Sequence, residues 1–435
     1  MGRKRSYTPL NVFLNARHIG QLTRERSGGI SFKYAQIWLD WEHRMPVSLS
    51  LPLQRDRYIG APVMAVFDNL LPDSDVIRRR VAERVGAQGV DAFSLLSEIG
   101  RDCIGALQFL PDGQEPQPIS QLTGEPVSEA QIGAILNDLD IAPLGIRREN
   151  NFRISVAGAQ EKTALLYHDG QWIEPTGTTP TTHIIKPQIG RLPNGMDLSD
   201  SVENEYLCLK LMDGFGLRAA NVEMAQFGDK KALVVERFDR RWTSDGRLIR
   251  LPQEDSCQAL SVVPTQKYQN EGGPGIAAIM DLLLGSDEPT KDRYDFFKAN
   301  VLFWLLGATD GHGKNFSVSL LPGGRFRMTP LYDVLTVQPT VDARQIERKY
   351  FKLAMHFGKS NHYKVVNIVG RHIVETGVQS GLSRDAVNSL FEELQDTAEH
   401  IVEATFNRLP KGFPEALMAS IYGALRARLG LLSGK

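Results

Sequence analysis

The sequence predicts an α+β fold in which a strand-rich amino-terminal part precedes a largely helical carboxy-terminal part. Three observations carry that expectation. Short apolar runs with period-two alternation recur from residue 8 to about residue 110 and again from Phe152 to Arg241. Helical periodicity dominates from about Gly275 onward. Between Val301 and Asp333 an apolar segment, a polar loop and a hairpin pattern follow one another.

Taken in order, Leu10–Leu14 and His18–Leu22 flank an Asn15-Ala16-Arg17 turn and read as a hairpin. Gly28-Gly29 introduces a further strand, Ile30–Tyr34, and Val47–Leu51 alternates like another. Helical spacing follows in Val63–Leu71 and Asp75–Val85, and the Pro111–Pro118 run reads as a linker. In the second strand-rich block, Lys162–Tyr167, Thr182–Lys186 and Lys231–Glu236 are strand candidates, with an amphipathic helix near Val202–Phe215 that Gly214 or Gly216 ends. Asp292–Leu306, Val365–Thr376, Ser383–Leu409 and Pro414–Leu432 are the later helices, with Ser383 as an N-cap. The expected division is residues 1–112, 113–245 and 246–435.

Composition narrows the function. The 42% hydrophobic and 23% charged fractions suit a globular chain with an ample core. Fifty basic residues against 51 acidic ones argue against binding nucleic acid through overall charge. The local clusters Arg3-Lys4-Arg5, Arg78-Arg79-Arg80 and Arg240-Arg241 are expected to be solvated faces. Cys103, Cys208 and Cys257 lack CxxC spacing and read as reduced core thiols of a cytosolic protein. No H-x-x-x-H pair suggests a zinc centre, no apolar stretch follows the basic start as in a signal peptide, and the apolar runs are too short for a membrane span.

The chemistry concentrates in Asp310-Gly311-His312-Gly313-Lys314-Asn315. The apolar Phe303–Ala308 precedes it. Phe316–Leu320, a Pro322-Gly323-Gly324 turn, Arg325–Met328 and then Asp333 follow it. An acid, an amide five residues on, a hairpin and a second acid is the order protein kinases use. One carboxylate takes the hydroxyl proton, while an amide oxygen and a second carboxylate are the hard ligands Mg²⁺ prefers. The loop is no Walker A motif, since Ala308 occupies the first glycine position and Asn315 follows Lys314. Read alone, Asp-Gly and Gly-Lys pairs are ordinary turn formers and Asp333 a loop acid.

A strand-rich part followed by a helical one then fits a two-lobed, protein-kinase-like fold. Lys186 ends the apolar strand Ile184-Ile185-Lys186, where its ammonium either faces phosphate or snorkels at the strand edge. Glu205 on the next helix is either its ion-pair partner or an exposed acid. Val234–Phe238 runs from an apolar strand into a polar segment that either meets adenine or simply ends the strand.

With these residues in view, the chain resembles the HipA family of bacterial toxins, serine/threonine protein kinases of type II toxin–antitoxin modules. Matching stretches include Phe67–Ser74, Phe152–Leu166, Thr179–Lys186, Val235–Trp242 and Gly307–Ser317, and they spread to about residue 360. The resemblance implies a kinase-like fold with an amino-terminal β-rich subdomain and an all-helical carboxy-terminal lobe. It implies ATP and Mg²⁺ as cofactors, Asp310 as proton acceptor, Asn315 and Asp333 as metal ligands, and Lys186 as the phosphate-binding lysine. Val156, Ala157, Gly158, Ala159, Gln160, Glu161 and Lys162 resemble the family's loop over the ATP phosphates, although with a single glycine. Glu236 and Phe238 would lie along adenine and His312 by the phosphates, with Arg237, Lys314 and Tyr332 in the same ATP-binding set. Ser155 matches an inhibitory autophosphorylation site. The implied partners are a dimeric HipB-like helix-turn-helix antitoxin, the operator DNA, and a protein substrate of which glutamyl-tRNA synthetase is the family's best-known case. Val374–Leu382 carries no basic residue, so DNA is expected to be met mainly through the antitoxin. A kinase-inactive, DNA-associated corepressor is the alternative reading, and no membrane partner is expected.

Overall fold

Asn15 and Ala16 both adopt left-handed backbone, with φ of 47° and 64°, and join Leu10–Leu14 to Arg17–Arg24 through a two-residue loop. That conformation matches the right-handed twist of the paired strands; Asn tolerates it, whereas Ala pays a steric cost. The hairpin nucleates a five-stranded sheet in the spatial order Tyr58–Ile59, Ile30–Tyr34, Arg17–Arg24, Leu10–Leu14, Leu107–Pro111. The computed structural model describes residues 7–25, 28–146, 153–158 and 160–433.

The chain divides into two compact units that interleave along the sequence. The first comprises Met1–Pro187, Ala225–Thr265 and Val318–Phe326, and the second Gln188–Met224, Gln266–Ser317 and Arg327–Lys435. In the first unit the helix Ala61–Asp68 buries Val63, Ala65, Val66 and Phe67. Phe67 meets Phe32 and Phe109 with ring centroids 5.5 Å apart in each case. Truncating a ring so enclosed costs roughly 3–5 kcal/mol. The helix Asp75–Val85 falls where its spacing predicts: Ser74 accepts the Ile77 N–H at its start and Gly86 (φ 72°) ends it. A second sheet runs in the order Val222–Phe227, Lys230–Glu236, His183–Pro187, Thr163–His168, Gln171–Pro175, Gly124–Val127. The helix Glu129–Asn137, opened by a Ser128–Gln131 capping box, covers it through Ile132, Ile135 and Leu136 against Leu165, Ile185 and Val234.

Val47–Leu51 is not a strand, contrary to its alternation. The Ser48 and Ser50 hydroxyls bond each other at 2.8 Å, and the Ser50 hydroxyl donates to the Gln258 carbonyl at 2.7 Å. The Leu49 N–H goes to Glu254 Oε1 at 2.7 Å, and the Leu51 N–H closes a turn on the Ser48 carbonyl at 3.0 Å. Local side-chain bonds have outcompeted a ladder.

The second unit is built from Ser201–Gly214, Pro289–Leu306, Gly370–Gln379, Arg384–Phe406 and Glu415–Leu432. Pro289–Leu306 packs on Glu415–Leu432, and Ser201–Gly214 on Arg384–Phe406. From Phe296 to Leu306 every residue of the first of these is buried, which is why its sequence is apolar on all sides except for Lys298 and Asn300 and does not read as amphipathic. Ser383 does cap its helix, accepting the Ala386 N–H at 3.0 Å. A short hairpin, Lys352–Phe357 with His362–Lys364, interrupts the helices. Among the described residues no helix is long and apolar enough to cross a membrane.

Glu254 is 1% exposed, and burial pushes its carboxyl from the ordinary 4.5 up to about 8. The Leu49 N–H and the Ser48 side chain pull it down less than burial raises it, and Asp255 adds to the rise. Between those two values the folded chain holds a proton that the unfolded chain has released. Stability from this group is therefore full below about pH 4.5 and is lost as pH rises through about 8. Glu254→Gln should raise the melting temperature at pH 9 relative to the parent while leaving it nearly unchanged at pH 5. Thermal unfolding at both pH values measures this, and an equal change at both would rule the linkage out.

Candidate active site

The helix Pro289–Leu306 stops at Gly307, whose φ of 72° turns the chain toward the loop beginning at Thr309. Gly311 must be glycine, because a Cβ there would lie 2.5 Å from the Phe303 ring. Asp310 emerges from this loop with its side chain 55% exposed. The Tyr268 hydroxyl donates to Asp310 Oδ1 at 2.6 Å, and His312 Nε2 lies 3.9 Å from Oδ2. The Gly313 N–H donates to the Lys267 carbonyl at 3.2 Å, so the segment carrying Tyr268 and the Asp310 loop are tied at two points.

Asn315 is the centre of the arrangement. Its Nδ2 donates to the Asp310 carbonyl at 2.8 Å and lies 3.5 Å from the Asp333 carbonyl. One buried amide nitrogen thus reaches both acid-bearing segments. The Tyr332 hydroxyl adds a second tie, donating to the Lys314 carbonyl at 2.7 Å with Ser317 Oγ at 2.5 Å. Leu331 fixes the other side, its N–H on the Arg218 carbonyl and its own carbonyl accepting from Ala220, both at 2.8 Å. Asp333 itself has φ 58°, a left-handed conformation uncommon outside glycine and a mark of backbone strain held at functional positions. The Asn315 amide oxygen and the Asp333 carboxylate are hard oxygen donors of the kind Mg²⁺ takes, and they fit that ion. Among the described residues no group of three His, Cys, Asp or Glu side chains gathers for a metal.

The phosphate-loop and adenine candidates lie in the first unit. Ser155 is fully buried; its hydroxyl donates to the Leu70 carbonyl at 2.7 Å and its N–H to the Asp102 carbonyl at 2.9 Å. Gly158 bridges Pro72 in parallel, and the Asp73 N–H donates to the Gly158 carbonyl at 3.1 Å. Lys162 Nζ donates to the Ala157 carbonyl at 2.7 Å, and a Cβ on Gly158 (φ 114°) would come within 2.3 Å of that nitrogen. The positive φ is what calls for the single glycine of the loop, since a lysine ammonium can move aside. Val156 faces the core, Gln160 Nε2 donates to the Pro187 carbonyl at 3.2 Å, and Glu161 pairs with Arg80. Ala159 lies outside the described residues, as does Phe152. Lys186 sits opposite Leu233 in the sheet and is 7% exposed. Glu236, opposite His183, is exposed at its strand end, and Phe238 is half-buried.

The Arg237 guanidinium is enclosed in the protein. It bonds Asp239 at 2.8 Å and Asp102 at 3.3 Å, in a buried cluster completed by Arg240 and Arg250, each 2.9 Å from Asp102. Burial opposes the Asp102 charge, but Arg240, Arg250 and Arg237 together hold its carboxyl well below the usual carboxylate range. The reading of the arginine clusters as solvated faces fails for Arg240 and for Arg78, which is buried against Asp68 at 2.7 Å. Sequence reasoning missed Tyr268 and Asp102; Tyr268 is 42 positions from Asp310, and nothing local marks either one. Cys103, Cys208 and Cys257 are free and buried, and burial pushes the Cys103 thiol up to about 12.

Residues 154–402 match the HipA-like C-terminal domain and residues 10–110 the HipA N-terminal domain. The chain is 35% identical to the putative kinase Y4mE of Sinorhizobium fredii over 91% of its own length and 92% of that protein. It is 30% identical to the serine/threonine-protein kinase toxin HipA of Shewanella oneidensis over 70% of each chain. The fold matches the solved HipA of Shewanella oneidensis MR-1, in complex with HipB and its operator DNA, with TM-score 0.79 at 26% identity, covering 97% of this chain and 98% of that one.

Replacing Asn315 by Asp keeps the size but removes the amide donor and sets a carboxylate against the Asp310 carbonyl. The cost should be about 1–3 kcal/mol, the usual penalty for a buried group left unsatisfied. Urea unfolding with the slope held constant measures it; an unchanged midpoint would show the amide bonds to be dispensable.

Proposed function

The chain belongs to the HipA family of serine/threonine kinase toxins, and from that premise we propose that it transfers the ATP γ-phosphoryl group to a serine or threonine of a protein. The observation that carries this reading is the Asn315 amide spanning the Asp310 and Asp333 segments. Bound Mg·ATP supplies the electrophilic phosphorus and offsets the charge on its oxygens. Asp310 accepts the proton that the attacking hydroxyl sheds as the new oxygen–phosphorus bond forms and the γ-phosphorus bond to ADP breaks. Its exposure lets a protein hydroxyl reach it, and the Tyr268 hydroxyl fixes one oxygen so that the other faces the incoming group. Asn315 Oδ1 and the Asp333 carboxylate hold the metal. Lys186 and the Val156–Lys162 loop hold phosphate oxygens, and His312, Lys314 and Tyr332 line the nucleotide. Glu236 and Phe238 flank adenine, with Arg237 acting as a brace behind them.

In this reading the chain is a cytoplasmic toxin that blocks translation, with glutamyl-tRNA synthetase as the proposed target, and so promotes growth arrest and persistence. A HipB-like helix-turn-helix antitoxin dimer neutralises it and carries the pair to operator DNA for co-repression. The alternative, a corepressor without kinase activity, would have no use for the ties that hold Asp310, Asn315 and Asp333 in register.

Asp310→Asn keeps the side-chain size and removes the base. Phosphoryl transfer to protein should fall about 10²–10⁴-fold, the usual range for losing a general base, while thermal stability is retained. Transfer assayed with labelled ATP and a cell extract decides it; full labelling by the variant would end the assignment.

Ser155 is proposed as an inhibitory autophosphorylation site. Its hydroxyl is fully buried, so modification requires residues 153–158 to leave the grooves formed by Leu70–Asp73 and Asp102–Cys103. A phosphate group adds about −1.5 to −2 charges and cannot return to that interior, which leaves the loop displaced. Mass spectrometry should find phosphate on Ser155 in protein made with an active kinase and none with Asp310→Asn. An active preparation incubated with ATP that stays unmodified there would refute the switch.

A further inference from the structure

The whole chain is nearly electroneutral, yet residues 344–364 hold Arg344, Arg348, Lys349, Lys352, Lys359 and Lys364 against a single acid, Glu347. All six basic residues are exposed. Lys349 pairs with Glu347 at 2.8 Å and lies 4.8 Å above the ring of Tyr350, which is itself 63% exposed. Lys352 and Lys364 are register partners across the Lys352–Phe357 and His362–Lys364 hairpin. Like charges placed opposite each other destabilise a strand pair, so stability of the hairpin does not explain this choice.

The position of the strip supplies the explanation. The Ala354 N–H donates to the Thr309 carbonyl at 3.0 Å, and Thr309 immediately precedes Asp310. Lys352 is two residues along the same strand, about 7 Å at the usual rise. A peptide whose hydroxyl reaches Asp310 therefore has its neighbouring residues beside these ammonium groups.

We propose that the strip formed by Arg348, Lys349, Lys352 and Lys364 docks acidic side chains that flank the accepting serine or threonine. This rests on the kinase reading and sets its substrate class, an acidic protein segment. A nucleic acid would also meet basic charge, but the strip is short and leads to the catalytic carboxylate, where a flanking peptide must lie. Exposed ion pairs are individually weak; several acting together steer and select, and salt screens them.

The test uses the full chain and fluorescein-labelled peptides with one central serine flanked by Glu, by Gln or by Lys. Fluorescence anisotropy should show the acidic peptide binding about tenfold tighter than the neutral one, with the preference shrinking at high salt. Lys352→Glu with Lys364→Glu should reverse the order of acidic and basic peptides and change KM more than kcat. Lys352→Glu alone sets opposite charges across the hairpin and serves as a folded control. Equal binding of acidic and neutral peptides, or an unchanged preference in the double variant, would overturn the proposal. So would a double variant that loses binding to a DNA duplex while keeping its peptide preference, since the strip would then serve nucleic acid. Labelling of the neutral peptide by ATP, abolished in Asp310→Asn, judges the kinase reading separately: it can succeed while the docking proposal fails, and peptide binding is read even if it fails.

Discussion

Asp102 is the residue on which the first unit is hung. Its carboxylate gathers Arg237, Arg240 and Arg250, and its carbonyl accepts the Ser155 N–H. Asp239 shares two of those guanidiniums and also accepts the Gly105 N–H at 2.6 Å. The chain beyond Glu236 and the segment around Ser155 are therefore positioned by one buried anion. Such a cluster adds little net stability over a well-packed apolar core, but removing one partner strands a charge and costs about 3–5 kcal/mol. Its value lies in geometry: guanidiniums with fixed forks leave few alternative arrangements for the strand ends they terminate.

The second unit solves a comparable problem with neutral groups. The Asn315 amide and the Tyr332 hydroxyl bond backbone carbonyls, so uncharged side chains tie the segments that carry both acids. The Tyr268 hydroxyl fixes one oxygen of the Asp310 carboxylate, and that side chain stays 55% exposed. The strained φ of Asp333 persists because Leu331 and Tyr332 are each tied down.

What the sequence made legible follows from locality. The Asn15–Ala16 hairpin, the Ser74 and Ser383 caps and the end of the helix before Gly307 are all decided within a few residues, and they lie where pattern and turn chemistry predict. Asp310 and Asn315 were visible because one short loop carries both. Val47–Leu51 misled because alternation shows which side chains are buried and not which groups take the backbone bonds. Arg240 looked like surface because charge is normally solvated, and its partner Asp102 stands 138 positions away. The Tyr268 contact and the basic strip beside Thr309 likewise depend on pairings distant in sequence.

The span of the Asp102 cluster also bears on how the chain acquires its structure during synthesis. Arg237 and Arg250 are 135 and 148 residues from Asp102, and Gln188–Met224, which belongs to the other unit, is made in between. Until Arg250 has left the ribosome, Asp102 has no full set of counter-charges and cannot be enclosed without a large desolvation penalty. The amino-terminal sheet can pair early, but its floor stays open and hydrated until more than half of the polypeptide exists. Contacts of such high sequence separation make the late closure slow, because loop entropy is lost before the contacts repay it. A nascent chain of this protein thus passes through a long interval in which the segment around Ser155 can meet Leu70 while the Asp102 cluster beside it is still incomplete.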